Sequence, residues 1–140
     1  MTRLTSIEFC AGAGGQALGL EQAGFEHRLL VDNDADCCAT LGHNRPKWSI
    51  HCDDMLNASL AGIAQPDLFA AGLPCPPFSV AGKQLGASDE RNLFPAALRL
   101  IKESQPKAYQ KLQDAYGDSA DQKLVQNASN EISKYGIVDF

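Results

Sequence analysis

Residues 7–23 read IEFCAGAGGQALGLEQA, in which an apolar run, a cluster of glycines and a helical segment follow one another directly. The pattern predicts a first strand over residues 7–10, a tight turn over residues 12–15 and a helix over residues 16–23. Glycines let the backbone turn sharply and approach a ligand closely, and the first amides of the helix then point towards that ligand. Such a turn is typical of nucleotide-binding α/β folds, although a Gly-x-Gly-Gly sequence alone could equally be a plain flexible turn.

Short strands and helices continue to alternate as far as residue 108. Strands are predicted over residues 28–31, 49–52 and 67–71, and helices over residues 34–41 and 93–103. This alternation is typical of βαβ units, in which successive strands run parallel and helices cover the sheet. We therefore expect an α/β fold with a parallel sheet and flanking helices. Asp34 is a candidate N-cap of the second helix, and Pro106 should end the third.

The composition beyond residue 108 differs from that of the preceding chain. Residues 109–126 are polar and rich in Gln, Asp and Lys, with helical character, and residues 136–140 could form a closing strand. We therefore divide the chain into a main unit over residues 1–108 and a divergent tail over residues 109–140.

Length and composition indicate one globular domain. The chain has 140 residues, of which 44% are hydrophobic and 21% charged, and no apolar run approaches the roughly 18 residues that a membrane helix needs. We expect a cytoplasmic protein with no membrane partner. Five cysteines without regular spacing favour reduced thiols, with neither disulfides nor a metal site. The net charge of −5 predicts no basic surface for DNA, so binding to DNA would need residues from outside this chain.

Acidic residues follow the second and third predicted strands. Asp32 comes at roughly the distance from the glycine turn at which nucleotide-binding α/β folds place a ribose-binding carboxylate. Asp53 and Asp54 follow the third strand, where a carboxylate and a backbone amide could bind an adenine edge. Each acid alone could be a helix cap or an ordinary acidic turn. Because parallel strands bring their carboxyl ends to one edge of the sheet, the three positions together predict a cofactor pocket.

The sequence PCPPFS, residues 74–79, follows the fourth predicted strand. Prolines on both sides of Cys75 fix the backbone around a thiol at a strand end, an arrangement suited to nucleophilic attack. A structural cysteine is the alternative for this pair taken alone. The glycine turn and the acids upstream favour the catalytic interpretation.

Three segments resemble motifs of the cytosine-C5 DNA methyltransferases, in the order and spacing of that family. Residues 9–25 resemble the first motif, residues 74–84 the catalytic motif and residues 89–94 the segment that follows it. The resemblance covers residues 4–108. It implies the Rossmann-like fold of the S-adenosylmethionine-dependent methyltransferases.

The resemblance also implies S-adenosylmethionine as the cofactor. The glycine turn would cradle its methionine portion, Asp32 would bind the ribose hydroxyls and Asp54 the adenine amino group. The full set of cofactor-binding residues implied is Cys10, Ala11, Gly12, Gly14, Gly15, Asp32, Asn33, Asp54, Met55, Pro74 and Leu93. Cys10 stands where an aromatic residue is frequent and Asn33 where a bulkier apolar one is, and both differences would loosen cofactor binding without abolishing it.

By the same resemblance Cys75 is the catalytic nucleophile. Addition of its thiolate to C6 of cytosine breaks the aromaticity of the ring, so that C5 accepts a methyl group, and loss of the C5 proton then expels the thiol. The base has to flip out of the duplex to reach the thiol. Ser79, Lys83 and Arg91 are candidates for contacts with the DNA backbone, with solvent exposure or, for Arg91, a surface ion pair as the alternatives.

Several parts of the family's pattern are absent from this sequence. After Ala108 the family continues with a strand ending in Glu-Asn-Val, whose glutamate assists the attack, whereas residues 109–112 read YQKL. The Arg-containing motif, the target-recognition region and the closing cofactor-side motifs are absent as well. We therefore expect an incomplete parallel sheet that is covered by the tail, by self-association or by a second chain supplying the glutamate and the recognition region.

The sequence thus predicts a truncated or split DNA (cytosine-5)-methyltransferase that acts on double-stranded DNA when complemented and is not competent alone. The alternative is a non-catalytic remnant that binds the cofactor or another protein. A small-molecule methyltransferase or another nucleotide-binding α/β protein ranks last, because neither has a use for a thiol in the proline loop.

Overall fold

In a computed structural model of the protein, strands and helices alternate along the chain as predicted. The structure describes residues 3–74 and 93–107, together with residues 109, 110, 114 and 117. The strands are β1 (Leu4–Phe9), β2 (Phe25–Asp32), β3 (Ile50–Cys52) and β4 (Leu68–Ala71), and the helices are α1 (Gly15–Gln22), α2 (Ala35–Asn44) and α3 (Phe94–Ser104). The predicted α/β class is confirmed.

The four strands form one parallel sheet in the order β3-β2-β1-β4. β1 pairs with β2 along its whole length, from Leu4 opposite Phe25 to Phe9 opposite Val31. This ladder explains why β2 begins three residues before the predicted start at Arg28. The extra residues are strand because β1 supplies their hydrogen-bond partners, which the local sequence of β2 does not reveal.

One face of the sheet packs against α3. Ile7 and Phe9 point to this face because successive side chains of a strand alternate, and they form a core with Leu100. The buried residues of α3 recur at intervals of three and four, which places them on one side of the helix. The helix ends at Ser104, where Gln105 adopts a left-handed conformation with φ 45° and Pro106 follows, so the predicted stop is confirmed.

The opposite face of the sheet is covered by α1 and α2. Ala17 of α1 and Leu41 of α2 pack on Leu30 of β2 in a second, smaller core. Asp34 caps α2 as predicted, since its Oδ1 accepts hydrogen bonds from the N–H groups of Cys37 (3.0 Å) and Asp36 (2.8 Å). These bonds, that of Cys37 first, lower the pKa of Asp34.

After α3 the chain returns to the amino end of β4. The N–H of Lys107 donates to the carbonyl of Pro66 (3.2 Å), and its ammonium group pairs with Asp67. The other carboxylate oxygen of Asp67, Oδ2, accepts from the backbone N–H of Thr5 (2.8 Å) and from its hydroxyl (3.0 Å). The end of α3 is thereby fixed to the start of both β1 and β4.

Most of the tail beyond residue 108, including the predicted closing strand over residues 136–140, lies outside the described residues. The division of the chain at residue 108 therefore stays a prediction. No helix within the described ranges has the length and apolar character needed to span a membrane.

Candidate cofactor-binding site

A cavity of about 260 Å³ lies at the carboxyl end of the sheet. From β1 the chain passes through α1 to β2 on one side, whereas β4 lies on the other side, and open α/β sheets bind ligands at such a switch point. The residues that line the cavity are Cys10, Val31, Asp32, Asn33, Asp53, Asp54, Met55, Gly72, Pro74 and Leu93. The fold therefore brings all four strand ends and the start of α3 to one place.

Seven of the residues predicted to bind the cofactor line this cavity. They are Cys10, Asp32, Asn33, Asp54, Met55, Pro74 and Leu93. The other predicted residues belong to the turn after β1 and the first residue of α1, and they are not part of the lining. They are Ala11, Gly12, Gly14 and Gly15.

The glycine turn instead orients Asp32, the last residue of β2. Oδ2 of this buried carboxylate accepts a hydrogen bond from the N–H of Gly12 (2.7 Å), and Oδ1 accepts one from the N–H of Asp34 (2.9 Å). Because both donors are backbone amides, the side chain is fixed without a partner side chain, and each oxygen keeps a lone pair for a further donor. The glycine turn thus holds Asp32 at the cavity, although the glycines of the turn are not part of the lining.

Cys10 and Gly72 bring the ends of β1 and β4 together at the cavity. Cys10 has φ 52°, a left-handed conformation that is uncommon for residues other than glycine, and its Sγ donates to Sδ of Met55 (3.6 Å). A Cβ on Gly72 would lie 3.0 Å from the carbonyl oxygen of Cys10, so any larger residue would push the two strand ends apart by a few tenths of an ångström. Strained backbone of this kind is concentrated at functional sites.

Asp53 and Asp54 begin the loop that follows β3. The N–H of Asp53 donates to the carbonyl of Asp32 (3.0 Å), and Oδ1 of Asp53 accepts from the N–H of Asp54 (2.8 Å). Oδ1 of Asp54 in turn accepts from the N–H of Leu56 (2.9 Å). Successive backbone bonds therefore fix both carboxylates at the cavity.

The predicted cofactor set omits three residues of the lining, Val31, Asp53 and Gly72. Asp53 was expected at this edge of the sheet, but only its neighbour Asp54 was assigned to the cofactor. Val31 precedes Asp32 in sequence, and Gly72 directly follows β4. Their positions at strand ends are the signal that could have identified them.

The lining is acidic in one part and apolar in another. It combines three carboxylates with the apolar side chains of Val31, Met55 and Leu93, and the lining residues that the structure describes include no Lys or Arg. This chemistry suits a ligand that carries hydroxyl and amino donors, a flat ring and a positive charge, and it disfavours phosphate groups. S-adenosylmethionine has those features, so the residues present fit it.

The described cysteines are free, and Cys10 and Cys38 are poor nucleophiles because their pKa values are raised. Burial, followed by the negative charges of Asp32 and Asp54, raises the pKa of the Cys10 thiol. Burial, followed by a hydrogen bond with Cys52, raises the pKa of Cys38 to about 12. Both thiols are protonated at neutral pH, whereas attack requires a thiolate. No group of three or more possible metal ligands occurs among the described residues.

The predicted nucleophile and the predicted DNA-contacting residues lie outside the described residues. They are Cys75, Ser79, Lys83 and Arg91. Cys75 follows Pro74, a residue of the cavity lining, directly in the sequence.

The sequence matches the family model of the C-5 cytosine-specific DNA methylases over residues 4–109. The chain belongs to this family. It is 56% identical over 106 residues to the Type II methyltransferase M.NgoMIV of Neisseria gonorrhoeae, a match that covers 76% of this chain and 34% of that relative. The predicted family membership is confirmed, and the chain spans about a third of that relative's length.

Solved structures of methyltransferases share the fold. A prophage-encoded protein of Escherichia coli described as a DNA modification methyltransferase superimposes with a TM-score of 0.61 at 26% identity, over 74% of this chain and 30% of that one. A TehB-like SAM-dependent methyltransferase from Corynebacterium glutamicum does so with a TM-score of 0.51 at 18% identity, over 74% of this chain and 50% of that one. The predicted fold class is confirmed, and S-adenosylmethionine is confirmed as the cofactor that goes with this family and fold.

Proposed function

We propose that this chain is the cofactor-binding and nucleophile-bearing part of a DNA (cytosine-5)-methyltransferase. The observation that carries the proposal is the acidic cavity at the carboxyl end of β1 and β4, whose lining extends to Pro74, the residue before Cys75. Membership of the C-5 cytosine-specific DNA methylase family supports it. The proposed substrate is cytosine in double-stranded DNA. Because M.NgoMIV is a Type II methyltransferase, we place the activity in restriction–modification.

In this proposal the cavity residues divide the cofactor between them. Asp32 accepts hydrogen bonds from the ribose hydroxyls, for which its two oxygens have lone pairs left after binding Gly12 and Asp34. Asp54 accepts from the adenine amino group. The apolar side chains of Met55 and Leu93 enclose the ring, and the glycine turn accommodates the methionine portion.

Cys75 is the nucleophile. Its thiolate forms a bond to C6 of the cytosine ring, and the electron pair displaced onto C5 makes that carbon nucleophilic. S-adenosylmethionine, when bound, supplies the methyl group as an electrophile. Loss of the C5 proton then restores the ring double bond and releases the thiolate. The target base has to leave the stack before its C6 can reach the thiol.

A second polypeptide completes the catalytic centre. Residues 109–112 contain no Glu-Asn pair, and the net charge of −5 disfavours DNA binding by this chain alone. We therefore propose that a partner supplies an acid for the cytosine ring and the region that recognises the target. Ser79, Lys83 and Arg91 add contacts with the DNA backbone, and the complex works in the cytoplasm.

Cofactor binding is the first part of the test. Titration calorimetry of the full chain with S-adenosylhomocysteine should show binding, and Asp32→Ala should weaken it about 100-fold, because each hydrogen bond to a charged group contributes about 1.5–3 kcal/mol. Asp36→Ala is the matched control, since Asp36 is an exposed acid on α2 outside the cavity lining. Absence of binding by folded protein would contradict the proposed cofactor site.

Trapping of the covalent adduct is the second part. The chain is mixed with S-adenosylmethionine and a duplex in which every cytosine carries fluorine at C5, so that the proton needed for release is missing. The second polypeptide in this mixture is the segment of M.NgoMIV that follows the region matched by this chain. A denaturant-resistant adduct should form, should be absent for Cys75→Ser and should persist for Cys52→Ser. Binding of S-adenosylhomocysteine without any adduct would instead favour a non-catalytic cofactor-binding remnant.

A further inference from the structure

The polar side of α3 is attached to the loop that follows β3. Arg99 donates from Nη2 to the carbonyl oxygens of Met55 (3.0 Å) and Leu56 (3.3 Å), and from Nη1 to that of Ala58 (3.1 Å). One guanidinium group therefore binds three carbonyls that are 41 to 44 residues away in sequence. A planar group with several fixed donors is suited to this task, which an ammonium group performs less well.

Glu103, one helical turn further along, binds the other end of the same loop. Its Oε1 accepts from the N–H of Leu60 (2.6 Å) and from the hydroxyl of Ser59 (3.1 Å), and its Oε2 pairs with Arg99 at 3.4 Å. The ion pair itself is partly exposed and contributes little. The hydrogen bonds that Arg99 and Glu103 make with the loop therefore contribute most of the attachment between α3 and the loop.

The loop attached in this way carries Asp54 and Met55, two residues of the cavity lining. Arg99 binds the carbonyls of Met55 and Leu56, while the N–H of Leu56 binds Oδ1 of Asp54. Arg99 thus fixes the carbonyl groups of the turn over residues 54–56, and the N–H of Leu56 in the same turn fixes the carboxylate of Asp54. Oδ2 of Asp54 has no hydrogen-bond partner among the described residues and is available to a ligand.

We propose that Arg99 is a positioning residue that fixes Asp54 as the acceptor for the amino group of the cofactor's base. It therefore sets the preference of the cavity for adenine over a purine that has a carbonyl at the same position. This inference rests on the proposed cofactor site. Arg99 is not a residue of the cavity lining and acts only through the loop.

The test compares two ligands that differ at one position of the base. S-adenosylhomocysteine carries the amino group, and S-inosylhomocysteine carries a carbonyl oxygen there, which cannot donate to Asp54. Wild-type protein should bind the first at least tenfold more tightly in titration calorimetry. Arg99→Met should reduce that ratio of dissociation constants about tenfold, and Arg99→Lys should give an intermediate ratio, because lysine reaches fewer of the three carbonyls.

Arg45→Met is the matched control, since Arg45 pairs with Glu21 away from the cavity and its loss should leave the ratio unchanged. Equal weakening of both ligands by Arg99→Met would show a merely structural role and overturn the inference. If that variant does not fold, an unchanged ratio in Arg99→Lys has the same meaning. A wild-type ratio near one also overturns it, whereas failure of wild type to bind either ligand contradicts the proposed function instead.

Discussion

The two ends of the parallel sheet contain cavities that differ in size and in charge. The cavity at the amino end is the larger, about 560 Å³, and its lining includes Glu21, His27, Lys47 and Trp48. Three of its charged and aromatic residues, Glu21, His27 and Trp48, form a connected group. Glu21 accepts from the indole of Trp48 (3.2 Å) and from Arg45 (3.1 Å), and the rings of Trp48 and His27 meet edge to face at 4.7 Å.

The cavity at the carboxyl end is less than half that size, yet the charges of its described residues are not balanced. Within the described part of the chain, its lining has three carboxylates and no basic side chain, and the carboxylate of Asp32 is bound by backbone amides alone. The larger cavity is therefore not the one with more unpaired polar groups. The smaller cavity keeps unused hydrogen-bonding capacity and negative charge, whereas Glu21, His27 and Trp48 of the larger one join α1, β2 and the segment after α2.

Two glycines with nearly the same positive φ give the largest expected contrast between the ends. Gly14, at the carboxyl end, has φ 93° and Gly24, at the amino end, has φ 92°. A Cβ on Gly14 would lie 2.5 Å from Cδ2 of buried Leu41, whereas a Cβ on Gly24 would meet nothing within 4 Å. Gly14→Ala should therefore lower the free energy of unfolding by about 2–4 kcal/mol and Gly24→Ala by only about 1 kcal/mol, the second from backbone strain alone.

Urea unfolding of both variants measures this difference. Both substitutions add one methyl group at a residue with positive φ, so the backbone strain is the same in the two variants. The difference between their free energies of unfolding therefore reports the packing against Leu41. Equal losses of stability in the two variants would mean that Leu41 moves aside without cost. Asp32 would then not be held by a rigid turn.

The parts of the structure that the sequence predicted are those fixed by local chemistry. The glycine turn, the Asp34 cap and the stop before Pro106 each depend on residues within a few positions of one another. The start of β2 was missed because its ladder with β1 joins residues about 20 apart in sequence. Gly72 and the contacts of Arg99 were missed for the same reason, since they depend on parts of the chain that only the fold brings together.

The free energy of unfolding should depend on pH in opposite directions at two acids, Glu8 and Asp67. Glu8 of β1 is buried, and neither of its oxygens has a hydrogen-bond partner among the described residues, so desolvation raises its pKa to about 7. The folded state then binds the proton more tightly than the unfolded state between about pH 4.5 and pH 7, and stability falls as pH rises through that range. Glu8→Gln should remove this fall and gain up to about 3 kcal/mol at pH 8, with no gain at pH 4.

Asp67, at the amino end, provides the comparison. Its hydrogen bond with Lys107, followed by that with the N–H of Thr5, lowers its pKa to about 2. Its contribution is present above its usual pKa and is lost as pH falls towards 2. Urea unfolding across pH should therefore separate Asp67→Asn from wild type at neutral pH and bring the two together in strong acid. A gain for Glu8→Gln that does not vary with pH would contradict the assignment of a raised pKa.

Trp48→Phe should have the smallest effect and tests whether the two ends are independent. The substitution removes the hydrogen bond to Glu21 and weakens the contact with Arg45, whose guanidinium lies 5.5 Å from the ring centre, at a cost of about 1 kcal/mol in stability. The dissociation constant of S-adenosylhomocysteine should change less than twofold, because phenylalanine keeps an aromatic ring beside the glycine turn. The packing of Trp48 beneath the glycine turn connects the two ends, since a Cβ on Gly14 would lie 3.7 Å from Cζ3 of Trp48. A tenfold loss of binding in a folded Trp48→Phe variant would show that the amino-end network supports the turn that holds Asp32, and the two ends would then act as one unit.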